Sequence, residues 1–172
     1  MSSSMSPYRF RAFASDDIPL GAEWLKAPEV RRWWGDPTEQ LALLKQDLVE
    51  PHMRQWIVEH QERPFAYVQA YEAHAWPQPH LQQMPEGTQI IDAFVGEPDM
   101  LGCGHGQRVI RLLASILIGE GAPMVAIDPS VDNIRAKRAY AAAGFEEIGT
   151  KATTDGQVVV MVFRDPATSP AQ

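Results

Sequence analysis

Gln89-Ile90-Ile91-Asp92-Ala93-Phe94-Val95, then Leu101-Gly102-Cys103-Gly104-His105-Gly106, then a run from Gln107 to about Gly119: this stretch decides the fold. The first part is a nearly apolar run of strand length. The last carries Val109, Ile110, Leu113, Ile116 and Leu117 at helical spacing, which predicts an inward face. Between them, glycines at every second position let the backbone turn tightly and aim several N–H groups one way. With a helix N-terminus behind it, such a turn is an anion site suited to a pyrophosphate. The Gly-x-Gly-x-Gly spacing lacks the third glycine of the dinucleotide fingerprint at its proper offset. It also lacks the Lys-Ser/Thr ending of a P-loop. On the glycines alone, a merely flexible turn accounts for the pattern equally well.

On the N-terminal side, Tyr8 to Phe13 reads as a strand, and Ser15 or Asp16 caps a helix running to about Lys26. Pro28 starts a short helix over Glu29 to Trp34. Gly35-Asp36-Pro37 breaks it, and Thr38 to Glu50 is helical with Leu41, Leu44 and Leu48 in period. Arg54 to His60 and Pro64 to Glu72 are strands joined by a turn at Gln61-Glu62-Arg63. Ala75 to Gly87 holds three prolines and no period, a long loop of the kind that binds ligands.

On the C-terminal side, Gly121 stops the helix. Met124 to Asp128 is a short buried strand, and Asp132 to Ala143 a helix ended by Gly144. Phe145 to Ala152 and Val158 to Phe163 form a hairpin across Thr154-Asp155-Gly156. Val158 to Phe163 is expected at a sheet edge, free to pair with a second subunit or stay solvated, so monomer and homodimer both remain open. The order predicts an α/β (α+β) sandwich around one sheet. A chain of 172 residues fits one domain, residues 1–172, with loose ends at 1–6 and 165–172.

Hydrophobic residues make up 45% of the chain, as in a globular protein. The first residues carry no basic-then-apolar leader, and no run approaches the roughly 20 apolar residues of a membrane span. Cys103 is the only cysteine, so no intrachain disulfide forms, in keeping with a reducing, cytoplasmic setting. The net charge of −7 argues against a nucleic-acid binder. It favours cationic small molecules, or serves solubility alone. His52, His60, His74, His80 and His105 show no His-x-x-x-His spacing, so no metal is expected.

Asp128-Pro129-Ser130-Val131-Asp132-Asn133 leads into a helix with Asn133, Ala136 and Tyr140 on one face. Here the chain resembles the GCN5-related N-acetyltransferase (GNAT) superfamily, from Tyr8 to Phe163. Leu101-x-x-Gly104-x-Gly106 occupies the place of that family's pyrophosphate signature, with Leu101 where Gln or Arg is common. Asn133-x-x-Ala136-x-x-x-Tyr140-x-x-x-Gly144-Phe145 is similar to its second coenzyme segment. Within the superfamily, Trp33-Trp34-Gly35, Tyr67-x-Gln69-x-Tyr71, Ile91-Asp92, Asp128-Pro129-Ser130, Arg135-Ala136-x-Arg138-x-Tyr140 and Thr153-Thr154-Asp155-Gly156 look like segments of bacterial aminoglycoside 6′-N-acetyltransferases, a group tied to antibiotic resistance.

The resemblance implies a mixed, mostly antiparallel sheet with helices on both faces and splayed strands 4 and 5. It implies acetyl-coenzyme A as co-substrate, no metal, and direct transfer to an amine in a ternary complex. Coenzyme contacts are expected from Phe94, Val95, Leu101, Gly102, Cys103, Gly104, His105, Gly106, Asn133, Ala136 and Tyr140. A backbone N–H near Phe94 or Val95 would polarise the acetyl carbonyl, and Asn133 would bond the pantetheine arm or simply cap its helix.

Acetyl transfer needs an amine freed of its proton and a protonated leaving thiol. Asp92, the only charge in its apolar run, is the candidate base, directly or through a water. The other account is a carboxylate tied to a backbone group or an arginine. Tyr140 is the candidate acid, against a role as a packed helix tyrosine. Asp128 would hold a substrate ammonium or serve as a turn residue before Pro129. Gln69, Tyr71 and Glu72 would line the same cleft. Trp33 and Trp34 stand where the family's helical flap covers the substrate, one of them expected in the core. Cys103 is read as a backbone donor rather than a nucleophile.

The leading reading is thus an acetyltransferase for a primary amine of a cationic small molecule, such as an aminoglycoside 6′-amine. Other acceptors of the same fold are a polyamine, a siderophore lysine-type amine or a protein N-terminus. A non-catalytic coenzyme-A-binding module is the reading of another class. A nicotinamide-dependent oxidoreductase is disfavoured by the glycine spacing.

Overall fold

In the computed structural model, residues 6–165 are described. The expected loose ends fall almost wholly outside them. The strands are β1 (Tyr8–Ala12), β2 (Met53–His60), β3 (Arg63–Glu72), β4 (Gln89–Val95), β5 (Val125–Ile127), β6 (Phe145–Thr153) and β7 (Gly156–Phe163). The helices are α1 (Ile18–Lys26), α2 (Pro28–Trp34), α3 (Pro37–Asp47), α4 (His105–Gly119) and α5 (Ile134–Ala143), with single 3-10 turns at Ser15–Asp17, Pro79–Leu81 and Pro98–Met100. The strands form one mixed sheet in the order β1-β2-β3-β4-β5-β7-β6. β1–β2, β5–β7 and β6–β7 are antiparallel, and β4–β5 is parallel.

The described chain sorts into two compact units. One ends at Gln69 and adds Ala93–Cys103; the other is Ala70–Asp92 with Gly104 onward. In the first unit, Gln61 and Glu62 at φ 51° and 67° turn β2 into β3. Two successive left-handed residues make the two-residue hairpin turn that matches strand twist. Asp36 caps α3, its Oδ1 accepting from the Glu39 N–H at 3.0 Å. The entry to α1 is different from the expected one. Neither Ser15 nor Asp16 caps it; a 3-10 turn precedes it, and Asp17 accepts from the Ala14 N–H at 2.9 Å. The core joins Phe13, Trp24, Leu25, Val30, Leu44, Ile57, Tyr67 and Phe94. A buried polar chain threads it: Gln55 donates to the Leu44 carbonyl at 3.1 Å and to the Tyr67 hydroxyl at 2.9 Å, and Tyr67 donates to Gln69 at 2.7 Å.

In the second unit, α4 buries Val109, Ile110, Leu113, Ala114 and Leu117. Ile116, expected inward, is 38% exposed. At 100° per residue it lies roughly 90° from the middle of that stripe, so it faces away. Gly144 at φ 108° ends α5. Val158 to Phe163 was expected at an edge, but β7 lies between β5 and β6, and β6 is the edge. The residues explain the order: β7 is apolar on both faces and buried from Val159 onward, whereas β6 is mostly exposed. β4 and β5 pair at Gln89↔Val125 and Ile90↔Ala126, after which β4 continues to Val95 past the end of β5.

Two glycines test the packing from opposite sides. A Cβ on Gly96 would fall 2.2 Å from the Trp24 ring, while one on Gly119 would meet nothing within 4 Å. Gly96→Ala should destabilise by about 2–3 kcal/mol through overpacking, read as a lower denaturant midpoint. Gly119→Ala should stabilise by about 0.5 kcal/mol, because it only removes freedom from the unfolded chain.

Candidate active site

The glycine turn is built in two parts. In the first unit, the 3-10 turn Pro98–Met100 leads to extended Leu101 and to Gly102 at φ 72°. The Cys103 thiol is exposed and lies 3.5 Å from the Leu101 carbonyl. In the second unit, Gly104 at φ 81° is the N-cap of α4 and has no side chain to offer. Its carbonyl accepts from the Arg108 N–H at 3.2 Å. The first N–H groups of a helix find no acceptor within it, and no side chain caps the start of α4. A helix start preceded by a left-handed glycine suits an anion. A Cβ at Gly102 would meet nothing within 4 Å, and one at Gly104 only the Arg108 guanidinium at 3.9 Å. Open space thus adjoins both glycines. Arg108 was not singled out from the sequence, although four residues after Gly104 on a helix is one turn above it.

A second group of residues gathers within the second unit. Asp92 is on β4, Asp128 follows β5, Tyr71 is near the end of β3, and Tyr140 is on α5. Burial pushes the Tyr140 phenol above its ordinary value, and the carboxylates of Asp92 and then Asp128 push it further. The same causes, in the same order, raise Tyr71, offset in part by its contact with Gln78. Both carboxylates therefore act on both phenols. His80, on the 3-10 turn Pro79–Leu81, joins them through Nε2, which lies 2.8 Å from Asp128 Oδ2. Sequence reading missed His80 as a site residue. The only available signal was its place in the long proline-rich loop.

Other expected site residues are placed as follows. Asn133 caps α5, its Oδ1 accepting from the Ala136 N–H at 3.2 Å. Glu72 accepts from the Gly87 N–H at 2.9 Å and from the His74 N–H at 2.8 Å, so its carboxylate ties both ends of a loop. Gln69 is 8% exposed and belongs to the buried chain with Tyr67. Trp34 packs edge-on against Phe94 at 5.0 Å and Tyr67 at 6.1 Å, the core role expected for one tryptophan of the pair. Trp33 carries the Arg32 guanidinium over its ring at 4.7 Å. Phe94 stacks on Tyr67 at 5.3 Å, which turns its ring to the core; Val95 is partly buried. Among the described residues, no group of three His, Cys, Asp or Glu side chains is placed to hold a metal, and no helix is long and apolar enough to cross a membrane.

Residues 14–153 match the model of the acetyltransferase (GNAT) domain. The chain is 31% identical to aminoglycoside N(6′)-acetyltransferase type 1 of Klebsiella pneumoniae, over 88% of this chain and 80% of the relative. It superposes on a structure of AAC(6′)-Ib in complex with paromomycin and acetyl-CoA with a TM-score of 0.84 at 27% identity, covering 95% of this chain and 99% of the other. A structure of the same aminoglycoside acetyltransferase with coenzyme A and kanamycin gives 0.79 at 29% identity, covering 90% and 93%. A match of this extent, over a mixed sheet with β4 and β5 parallel and a glycine turn at the start of α4, shows that the chain belongs to the GNAT acetyltransferase family.

Proposed function

We propose that this chain, as a single domain in the cytoplasm, uses acetyl-coenzyme A to acetylate a primary amine of a cationic small molecule, the 6′-amine of an aminoglycoside. The observation that carries this reading is the action of two carboxylates, Asp92 and Asp128, on the phenol of Tyr140. They provide a proton acceptor, a site for an ammonium and a proton donor.

The residues fit the coenzyme. Gly102 and Gly104 have the open space and left-handed backbone that a diphosphate requires, the α4 N-terminus supplies N–H donors, and exposed Arg108 adds charge. The coenzyme brings an activated acetyl thioester. Asp92 accepts the proton that the ammonium must lose before its nitrogen attacks the acetyl carbon. As the carbon–sulfur bond breaks, Tyr140 gives its proton to the departing sulfur and regains one from solvent. Because the phenol's value lies above its ordinary 10.0, it carries that proton throughout the neutral range. Asp128 holds a second positive charge of the acceptor. Asn133, fixed by its own cap bond, keeps its amide N–H₂ for the pantetheine arm.

Thiol release from acetyl-coenzyme A should accompany kanamycin over a panel of aminoglycosides, polyamines and peptides; turnover on peptides alone overturns the acceptor assignment. Asp92→Asn should cut kcat by about 10²-fold or more while coenzyme affinity stays within about threefold. An unchanged rate and pH profile would remove Asp92 as the base. Gly104→Val should abolish coenzyme binding in calorimetry, since its side chain fills the open space and its backbone resists φ 81°. The falling alkaline limb that loss of the Tyr140 proton would cause should be absent from the kcat profile below about pH 10, because the raised phenol stays protonated there. A falling limb near neutrality that Tyr140→Phe removes would show a different titration.

A further inference from the structure

Asp128 is not a bare carboxylate. His80 Nε2 lies 2.8 Å from its Oδ2, and the two side chains are 10% and 16% exposed. A carboxylate offers only acceptors, so the imidazole must donate its Nε2–H, whether neutral or charged. The contact is built into the loop. Leu81 is fully buried and Met84 is 9% exposed, which anchors the chain directly after the histidine. Glu72 ties the His74 and Gly87 N–H groups near the loop ends. Trp76 packs edge-on against Tyr71 at 5.3 Å, and β6 packs against the His80 turn. A side chain held from this many directions is presented to Asp128 rather than resting there by chance.

A partly buried carboxylate is costly unless a donor reaches it. The Nε2–H of His80 supplies that donor in the absence of any ligand. An acceptor with several ammonium groups would supply one as well. We propose that His80 is a specificity-determining residue, an internal counter-donor that occupies the ammonium site of Asp128 and that a polycationic acceptor must displace. The proposal rests on the aminoglycoside reading above. It means that Asp128 discriminates among acceptors by whether they out-compete an imidazole already in place. Acceptors with a single amine, which do not reach Asp128, are indifferent to His80.

The test compares kanamycin with 6-amino-6-deoxyglucose, a sugar with the same kind of primary amine and no other charge. For kanamycin, His80→Leu, which removes the donor, should lower KM about tenfold, with the change in KM rather than kcat, since displacing one good hydrogen bond to a charged group weakens binding by about that factor. For 6-amino-6-deoxyglucose the shift should be under twofold. In an Asp128→Asn background, His80→Leu should no longer affect KM for kanamycin. An unchanged or higher KM for kanamycin, or an effect that persists without Asp128, overturns the proposal. So does a large fall in kcat at constant KM, which would make His80 a base. If the wild-type protein acetylates neither amine, the aminoglycoside reading has failed separately. The pair is then decided without acceptor by a double-mutant cycle in denaturation: His80→Leu and Asp128→Ala should be non-additive by about tenfold in the unfolding constant, and additivity within twofold would overturn the proposal.

Discussion

The candidate site depends on the short parallel pairing of β4 and β5. The two strands share a register for two residue pairs, and β4 continues beyond the last of them. Backbone groups in a strand interior must find partners, and a strand that leaves its neighbour presents them to whatever can pair as a strand would. The pantetheine arm of the proposed coenzyme is such a chain of amides. The same parting places Asp92 beyond the last pair on one strand and Asp128 just past the end of the other. Each strand then leads to a helix whose start belongs to the proposed site: Gly104 opens α4 and Asn133 opens α5. In that reading the β4–β5 pairing underlies the placing of both carboxylates and of the helix that carries Tyr140.

The electrostatics follow from that placement. Carboxylates that act together on Tyr71 and Tyr140 keep both phenols protonated and make the site attractive to cations. The acidic balance of the whole chain, −7, points the same way. At the glycine turn the sign reverses. The positive end of α4, which no side chain caps, and Arg108 favour an anion. A nucleotide diphosphate and a polycationic amine would therefore be drawn to different groups on the chain, as a reaction between the two requires.

Much of this was legible in the sequence because it is local. The glycine spacing, the break at Gly35-Asp36-Pro37, the helix ends at Asn133 and Gly144, and the Gln61-Glu62 turn all depend on residues a few positions apart. The structure agrees with them to within two residues. What escaped was tertiary. His80 and Asp128 are 48 positions apart, and the loop carrying His80 has no period to say which side chain points inward. Gln69 reads as a cleft residue on resemblance, yet it lies two residues from Tyr67 on β3, on the same face, and takes that hydroxyl. The misplaced edge strand had a visible signal. A continuous apolar run such as Val158 to Phe163 belongs inside a sheet, and the charged Phe145–Thr153 segment belongs at its margin.

These differences separate two kinds of constraint. Asp92, Tyr140 and the glycine turn sit on regular elements or at their ends, where the sheet and helices hold them to a fixed geometry. His80 sits on a loop whose own backbone has no repeating hydrogen bonds and is held by side chains instead: Glu72, Leu81, Met84 and Trp76. Loop positions change more readily than element positions because fewer backbone bonds depend on them. Chemistry common to the GNAT family would therefore reside on the strands and helices. The choice of acceptor would reside on the loop, where a single histidine reaching Asp128 alters which cations compete for it without disturbing the base, the acid or the anion site.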